Sequence, residues 1–363
     1  MLTSIRSTLP GTSRLLLAAI IATTVRAWET APAPTVPVGY VCYRTASPVE
    51  IDGRLDDAAW GEAPWTANFV DIEGDARPRP ALRTRAKMLW DDQYFYVGAE
   101  MEEPHLWATL TKHDSVIFQD NDFEVFIDPN GDSHEYYEFE INALGTGWDL
   151  LLPWPYKDGG KAVHNWEIPG LKTAAHLDGT LNDANDVDRD WSVELAFPWA
   201  ALRELARCPS PPADGDQWRV NFSRVEWALA PSGGRYAKVA GTKESNWVWS
   251  PQGVVDMHRP ESWGYVQFSS GRPRTTSFRP DPALPARRWL HEVYYAQRGY
   301  RAAHQRWART LAELGVASPA GDELSRGTLE VTSSLFEATV DLRVAGGKTE
   351  RWHIRQDARV WPE

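Results

Sequence analysis

From residue 40 to residue 270, apolar and polar side chains alternate in short runs separated by turn residues. Period-two patterning with that punctuation predicts antiparallel β-strands. Residues 85–90 and 94–100 read as one hairpin around Asp91-Asp92. Residues 123–128 and 136–142 read as a second around Pro129-Asn130-Gly131-Asp132, because Asn-Gly between alternating runs is a strong turn signal. Residues 191–197, 218–227 and 264–268 continue the series, and one short helix is expected at 199–205. Many short strands in succession predict an all-β fold, a two-sheet antiparallel β-sandwich of jelly-roll type.

The pattern changes after residue 270. Pro273, Pro280, Pro282 and Pro285 mark 271–285 as a linker. Beyond it, Leu290, Val293, Tyr294 and Gln297, then His304, Trp307, Leu311 and Leu314, follow helical spacing, with Gly315 as a stop. Residues 328–332, 336–342 and 352–354 return to strand patterning. Residues 286–363 are therefore expected to form a small α+β module, to which the sequence assigns no role. Nine Arg and no Lys fall in 272–309, against Asp281 and Glu292 alone. Such a segment is either a solvated surface or a docking face for an acidic partner.

Composition narrows the function classes. A formal net charge of −12 lacks the basic footprint of a nucleic-acid binder. Cys42 and Cys208 are too few for a disulfide scaffold or a four-Cys zinc site. Trp is abundant, 19 against 12 Tyr and 11 Phe, and indoles are hard to hide completely, which suggests that some line a groove.

The N-terminus reads as an address. Arg6 and Arg14 precede an apolar run at 15–22, and Val25 and Ala27 sit at −3 and −1 of a cleavage site after residue 27. That is the form of a secretory signal peptide, and the run is too short to cross about 30 Å of hydrocarbon. Three Arg and no acid leave with residues 1–27, taking the net charge from −12 to −15. Residues 28–39 follow as a Pro-rich extended leader. The expected product is secreted or periplasmic, with no membrane segment in the mature chain. Export permits a Cys42–Cys208 disulfide, which the sequence does not position.

Within the second hairpin, alternation sets Phe123, Val125, Ile127, Tyr137, Phe139 and Ile141 on one face. Glu124, Phe126, Asp128, Tyr136, Glu138, Glu140 and Asn142 lie on the other. Carboxylates and amides can bridge vicinal hydroxyls while flat rings cover the C–H face of a pyranose. This second face either binds sugar or simply solvates the sheet.

The residues here resemble a known family. VEIDGRLDDAAW (49–60), KMLWDDQYFYV (87–97), QDNDFEVFID (119–128) and WGYVQF (263–268) are similar, in order, to blocks of family 9 carbohydrate-binding modules. The resemblance spans about residues 45–270. It implies a β-sandwich that accompanies xylanases and other glycan-degrading enzymes, holds a sugar between two aromatic rings and carries structural calcium. It assigns the rings to Phe118 and Trp249, with Trp247 nearby, and the strand carboxylate to Glu124. Asn142 and Asn221 match family asparagines, whereas Glu140 stands where the family has an arginine. The implied ligand is a poly- or oligosaccharide, and the implied partner a glycoside hydrolase.

For calcium, Asp186, Asp188 and Asp190 alternate as hard oxygen donors, and a solvated acidic loop is the competing reading. Asp128-Pro-Asn130-Gly-Asp132 reads as a hairpin turn. The His pattern lacks H-E-x-x-H, and G-x-S-x-G, P-loop and Rossmann signatures are missing. Close acid pairs are inevitable among 50 acids, so a hydrolase acting on O-glycosyl bonds remains an alternative without named catalytic residues. A haem-binding sandwich, drawing on Met257-His258, Met88 or Met101, is the third reading.

Overall fold

The computed structural model describes residues 36–363. The expected signal peptide, and the leader as far as residue 35, lie outside the described residues.

The first unit contains β1 (Gly39–Arg44), α1 (Ala58–Glu62), β2 (Val70–Asp71), β3 (Thr84–Trp90), β4 (Tyr94–Glu102), β5 (Asp122–Asp128), β6 (Tyr136–Asn142) and β7 (Gly147–Leu152). It continues with β8 (Lys172–Asp178), β9 (Asp190–Pro198), α2 (Trp199–Ala206), β10 (Gln217–Glu226), β11 (Leu229–Ser232), β12 (Arg235–Lys238), β13 (Ser245–Val248) and β14 (Gly264–Ser269). Both expected hairpins form. Asp91 Oδ1 accepts from the Gln93 and Tyr94 amides at 2.7 and 2.8 Å and so closes the β3–β4 turn. Asp128 closes β5–β6, accepting from the amides of Gly131 at 2.8 Å and Ser133 at 2.9 Å.

The strands run in the order β7-β6-β5-β10-β14-β1-β3-β4-β9-β8. The chain curls so that the β7-to-β14 half faces the β3-to-β8 half as a β-sandwich. Phe139 meets Phe197 across the gap at 6.1 Å, and Trp218 meets Trp199 at 5.4 Å, both edge to face. One feature departs from a purely antiparallel pattern: β1 pairs in parallel with both β14 and β3. It thereby joins the two halves into one mixed sheet. The core between them takes Phe123, Val125 and Ile127 of β5, Val220 and Phe222 of β10, and Val97, Val193 and Leu195 from the opposite half.

Six of the indoles, Trp90, Trp191, Trp199, Trp218, Trp247 and Trp249, belong to this core, and others are buried on the outer faces of the sheet, Trp60 and Trp263 among them. Trp60, Trp191, Trp199, Trp218 and Trp263 are fully buried. Several find the hydrogen-bond acceptor that burial demands: Trp60 Nε1 donates to Glu194 at 2.6 Å, Trp199 to the Asp91 carbonyl at 2.7 Å, and Trp263 to the Met257 carbonyl at 2.8 Å. Cys42 is buried, Cys208 is partly buried, and both thiols are free.

The second unit begins with α3 (Leu284–His304) and α4 (Leu311–Leu314), followed by β15 (Leu324–Val331), β16 (Phe336–Arg343), β17 (Thr349–Arg355) and β18 (Val360–Pro362). Gly315 stops α4 in the left-handed region at φ 71°. The last four strands form an antiparallel sheet, and Trp289, Leu290 and Val293 of α3 pack on Val340, Trp352 and Ile354. Part of the Arg-rich segment docks on the sandwich itself. Arg298 binds Asp158 at 2.6 Å, and Arg287 donates to the Gly131 carbonyl at 2.6 Å. From the last sheet, Arg359 reaches Asp132 at 3.2 Å. Among the described residues no helix is long and apolar enough to cross a membrane.

Candidate carbohydrate-binding site

The outward faces of β5, β6 and β7 form the floor of an open cavity of about 240 Å³. Alternation puts Glu124 and Phe126 of β5, Glu138 and Glu140 of β6, and Trp148 and Leu150 of β7 on that floor. Register places Glu124 directly opposite Glu140, and Phe126 opposite Glu138. Phe118, in a single turn of 3₁₀-helix, makes one wall. Tyr156, Asn246, Val255 and His258 supply others.

The loops that close the cavity are held by backbone bonds. The Ile72 amide donates to the Asn246 carbonyl at 2.9 Å, and the Ile72 carbonyl accepts from Gln252 and Gly253 at 2.9 and 3.0 Å. Phe118 is fixed at both ends of its peptide. Its N–H donates to Glu140 Oε2 at 2.9 Å, and its carbonyl accepts from Trp227 Nε1 at 2.9 Å. The Tyr156 ring, 41% exposed, stands edge-on over His258 at 4.4 Å. His258 is held by the Tyr136 hydroxyl at 2.9 Å, and burial lowers its pKa to about 4, so the imidazole is neutral.

The acids beneath these rings are not a solvated face. Asp122, Glu124, Glu138 and Glu140 are 0, 5, 4 and 2% exposed. Burial, reinforced by the Glu124 charge, pushes Asp122, Glu138 and Glu140 well above the ordinary carboxyl range. Burial lifts Glu124 from 4.5 to about 7.

A folded-state pKa above the unfolded one means that the unfolded chain binds fewer protons between about 4.5 and 7. Stability therefore falls as pH rises through that window and levels off above it. For Glu124 alone the full shift is worth on the order of 3 kcal/mol. In chelator-treated protein, Glu124→Gln is expected to gain on the wild type as pH goes from about 5 to about 7.5, as read from urea melts at the two values. A pH-independent difference would mean that Glu124 ionises normally in the fold.

The structure separates the sequence-based site residues. Phe118, Glu124 and Glu140 come together in the cavity. Trp247 and Trp249 do not. In β13 and just beyond it, Asn246 and Val248 point to the cavity side, so alternation sends Trp247 and Trp249 into the sandwich core. Trp249 is 5% exposed and packs on Phe222 and Tyr40. A Cβ added to Gly264 would lie 2.5 Å from its ring.

Asn142 and Asn221 are fully buried ties. Asn142 Nδ2 donates to Leu110 and Asp120 at 2.9 and 3.0 Å, and its Oδ1 accepts from the Leu144 and Thr146 amides, both at 3.1 Å. Asn221 exchanges two 2.9 Å bonds with the backbone of Ser250. Neither amide is left for a ligand. Asp186, Asp188 and Asp190 do not converge on an ion. Both Asp188 oxygens accept backbone amides, from Leu106 at 2.8 Å and Thr180 at 2.6 Å, while Asp190 pairs with Arg189 at 3.0 Å. Of the residues behind the haem reading, Met88 and Met101 lie in the core at 0% exposure, while Met257 and His258 line the cavity.

Asp122, Glu138, Tyr156 and His258 complete the site beyond the sequence reading. Glu138 already shared the face of Glu140 by alternation. Asp122 shares the face of Glu124 in β5 in the same way, while Tyr156 and His258 depend on how distant loops close over the sheet.

Residues 51–208 match the family described as carbohydrate family 9 binding domain-like. These residues belong to that family. An exoglucanase, XynX, from Acetivibrio thermocellus is 25% identical over 209 residues, which is 56% of this chain and 17% of the relative. An endo-1,4-beta-xylanase A from Thermoanaerobacterium saccharolyticum is 28% identical over 152 residues, 42% of this chain and 11% of the relative. The chain thus spans under a fifth of the length of these relatives. Among solved structures, a family 9 carbohydrate-binding module from Caldicellulosiruptor kristjanssonii in complex with cellotriose is similar over 67% of this chain and all of that one, with 18% identity and a TM-score of 0.42. A family 9 carbohydrate-binding module from the same organism in complex with glucose is similar over 66% of this chain and all of that one, with 18% identity and a TM-score of 0.42. The matched stretch, residues 51–208, covers the larger part of the β-sandwich.

Proposed function

We propose that the protein is exported and holds a glycan chain or a sugar end in the β5–β6–β7 cavity. Phe118 and Tyr156 give the ring faces, and Glu124, Glu138 and Glu140 meet the hydroxyls from below. One observation carries this reading: half-exposed aromatic rings stand over a floor of buried carboxyl groups, which joins the apolar and polar halves of sugar recognition. Export rests on the N-terminal pattern of residues 1–27. The named relatives make β-linked glucan or xylan fragments the first ligands to test, and a glycan-degrading enzyme the partner class, placing the chain in carbohydrate catabolism.

The test pairs affinity with stability. Phe118→Ala and Tyr156→Ala are each expected to weaken an oligosaccharide by about fivefold, the effect of one aromatic contact of about 1 kcal/mol. Their melting temperatures should stay near the wild-type value. Calorimetric titration on a panel of xylo- and cello-oligosaccharides reads the affinity, and a thermal melt of the same preparation reads the stability. Unchanged affinity in both variants would place the ligand elsewhere.

A further inference from the structure

We propose that Asp122, Glu124 and Glu140 are the ligand set of a hard divalent cation, Ca²⁺ by preference, in the floor of the cavity. One oxygen from each of the three carboxyl groups lies within 4.8 Å of the other two. That is the span two oxygens reach across one Ca²⁺ at bonds of about 2.4 Å. All three donors are oxygen, which favours a hard cation over zinc or copper.

A separate observation points to the same place. Glu138 lies beside this trio on the same floor, 4% exposed, and its Oε2 has no hydrogen-bond partner. Asp122 Oδ2 is likewise buried and unpartnered. Other buried charges are paired: Arg224 with Glu103 and Glu226, both at 2.9 Å, and Lys157 with Glu261 at 3.4 Å. The exposed group of His113, Asp114, Asp149 and Glu167 brings its own imidazole, 3.1 to 3.4 Å from the three acids. Asp120, Asp128, Asp188 and Glu194 are also buried without a Lys, Arg or His partner, but both oxygens of each accept hydrogen bonds, whereas the cavity acids combine the lack of a cation with the unpartnered oxygens of Asp122 and Glu138. A divalent ion supplies the missing positive charge. Three carboxylates leave coordination positions open toward the cavity, where vicinal sugar hydroxyls can enter. That last step rests on the carbohydrate reading above.

The experiment uses the full chain, stripped with EDTA and titrated with CaCl₂ by calorimetry at about pH 7.5. TbCl₃ luminescence sensitised by Trp148, which lines the same cavity, is followed in parallel. One saturable site is expected, with a rise in melting temperature on Ca²⁺ addition. Glu124→Gln and Glu140→Gln should each weaken Ca²⁺ at least about tenfold, since ligand charge sets affinity. Each removes a buried repulsive charge, so both should melt at or above the wild type in EDTA, and lost binding is then not lost folding. No saturable binding up to about 1 mM Ca²⁺, or unchanged binding in both variants, overturns the site. Sugar affinity with and without EDTA is read separately. Weaker sugar binding in EDTA supports the cation–hydroxyl contact, and equal affinity overturns that contact. Intact Ca²⁺ binding without any sugar binding overturns the carbohydrate reading and upholds the cation site.

Discussion

Trp249→Ala is expected to destabilise the sandwich by about 3–5 kcal/mol, the usual loss when a core indole is truncated to alanine. The ring is 5% exposed, tilted on Phe222 at 5.6 Å and edge-on to Tyr40 at 6.4 Å. Gly264 has no room for a methyl group beside it, so a deep cavity would open that neighbours cannot fill without backbone movement. Urea unfolding of the variant gives the cost directly. A loss under about 1 kcal/mol would mean that the ring is solvent-facing and available to a ligand. The contrast with Phe118→Ala is informative, because that ring lines the cavity and its truncation is expected to act on binding instead.

Lys157→Met is the second large effect. The ammonium group is 2% exposed and sits 3.4 Å from Glu261 and 3.8 Å from Asp158. Burial alone raises Glu261, but Lys157, His291, Tyr295 and Arg259 outweigh it and hold the carboxyl at about 2. Removing one partner of a buried pair typically costs about 3–5 kcal/mol. The lower end applies here, since Asp158 keeps Arg298 at 2.6 Å and Glu261 keeps the Tyr295 hydroxyl. The loss should concentrate where α3 meets the sandwich. A depressed carboxyl stabilises the fold above its unfolded value of 4.5, and that contribution fades as pH falls toward about 2. The cost of Lys157→Met should therefore shrink in acid. A cost that is constant with pH would assign it to lost packing of the lysine stem.

The β-strands of the first unit were largely legible, because period-two alternation is written locally. Residues 123–128 and 136–142 are strands in the fold, with Glu124 and Glu140 on one face as the spacing indicates. What alternation does not carry is whether a face is covered. Alternation allows these acids either to bind sugar or to solvate the sheet, and the segments around Ile72 and Met257 fold over them from far along the chain. Trp247 and Trp249 illustrate the same gap. Neighbouring Asn246 faces the cavity, and a shift of one residue along a strand exchanges groove for core. The abundance of Trp is largely a matter of packing, inside the sandwich for Trp199 and against its outer face for Trp60, where the indoles meet acceptors such as the Asp91 carbonyl and Glu194. The parallel pairing of β1 is a long-range contact between residues 39–43 and 265–269, and no local pattern marks it. In the second unit, helical spacing identified α3, while the chain's own Asp158 and Asp132 turned out to be partners of its arginines.

A crystal structure of residues 28–363 with a xylo- or cello-oligosaccharide tests the central claim most directly. The expected result is a sugar ring between Phe118 and Tyr156, with its hydroxyls directed at Glu124, Glu138 and Glu140. A sugar bound on another surface, or an empty cavity in protein shown by calorimetry to be saturated with that sugar, would contradict it.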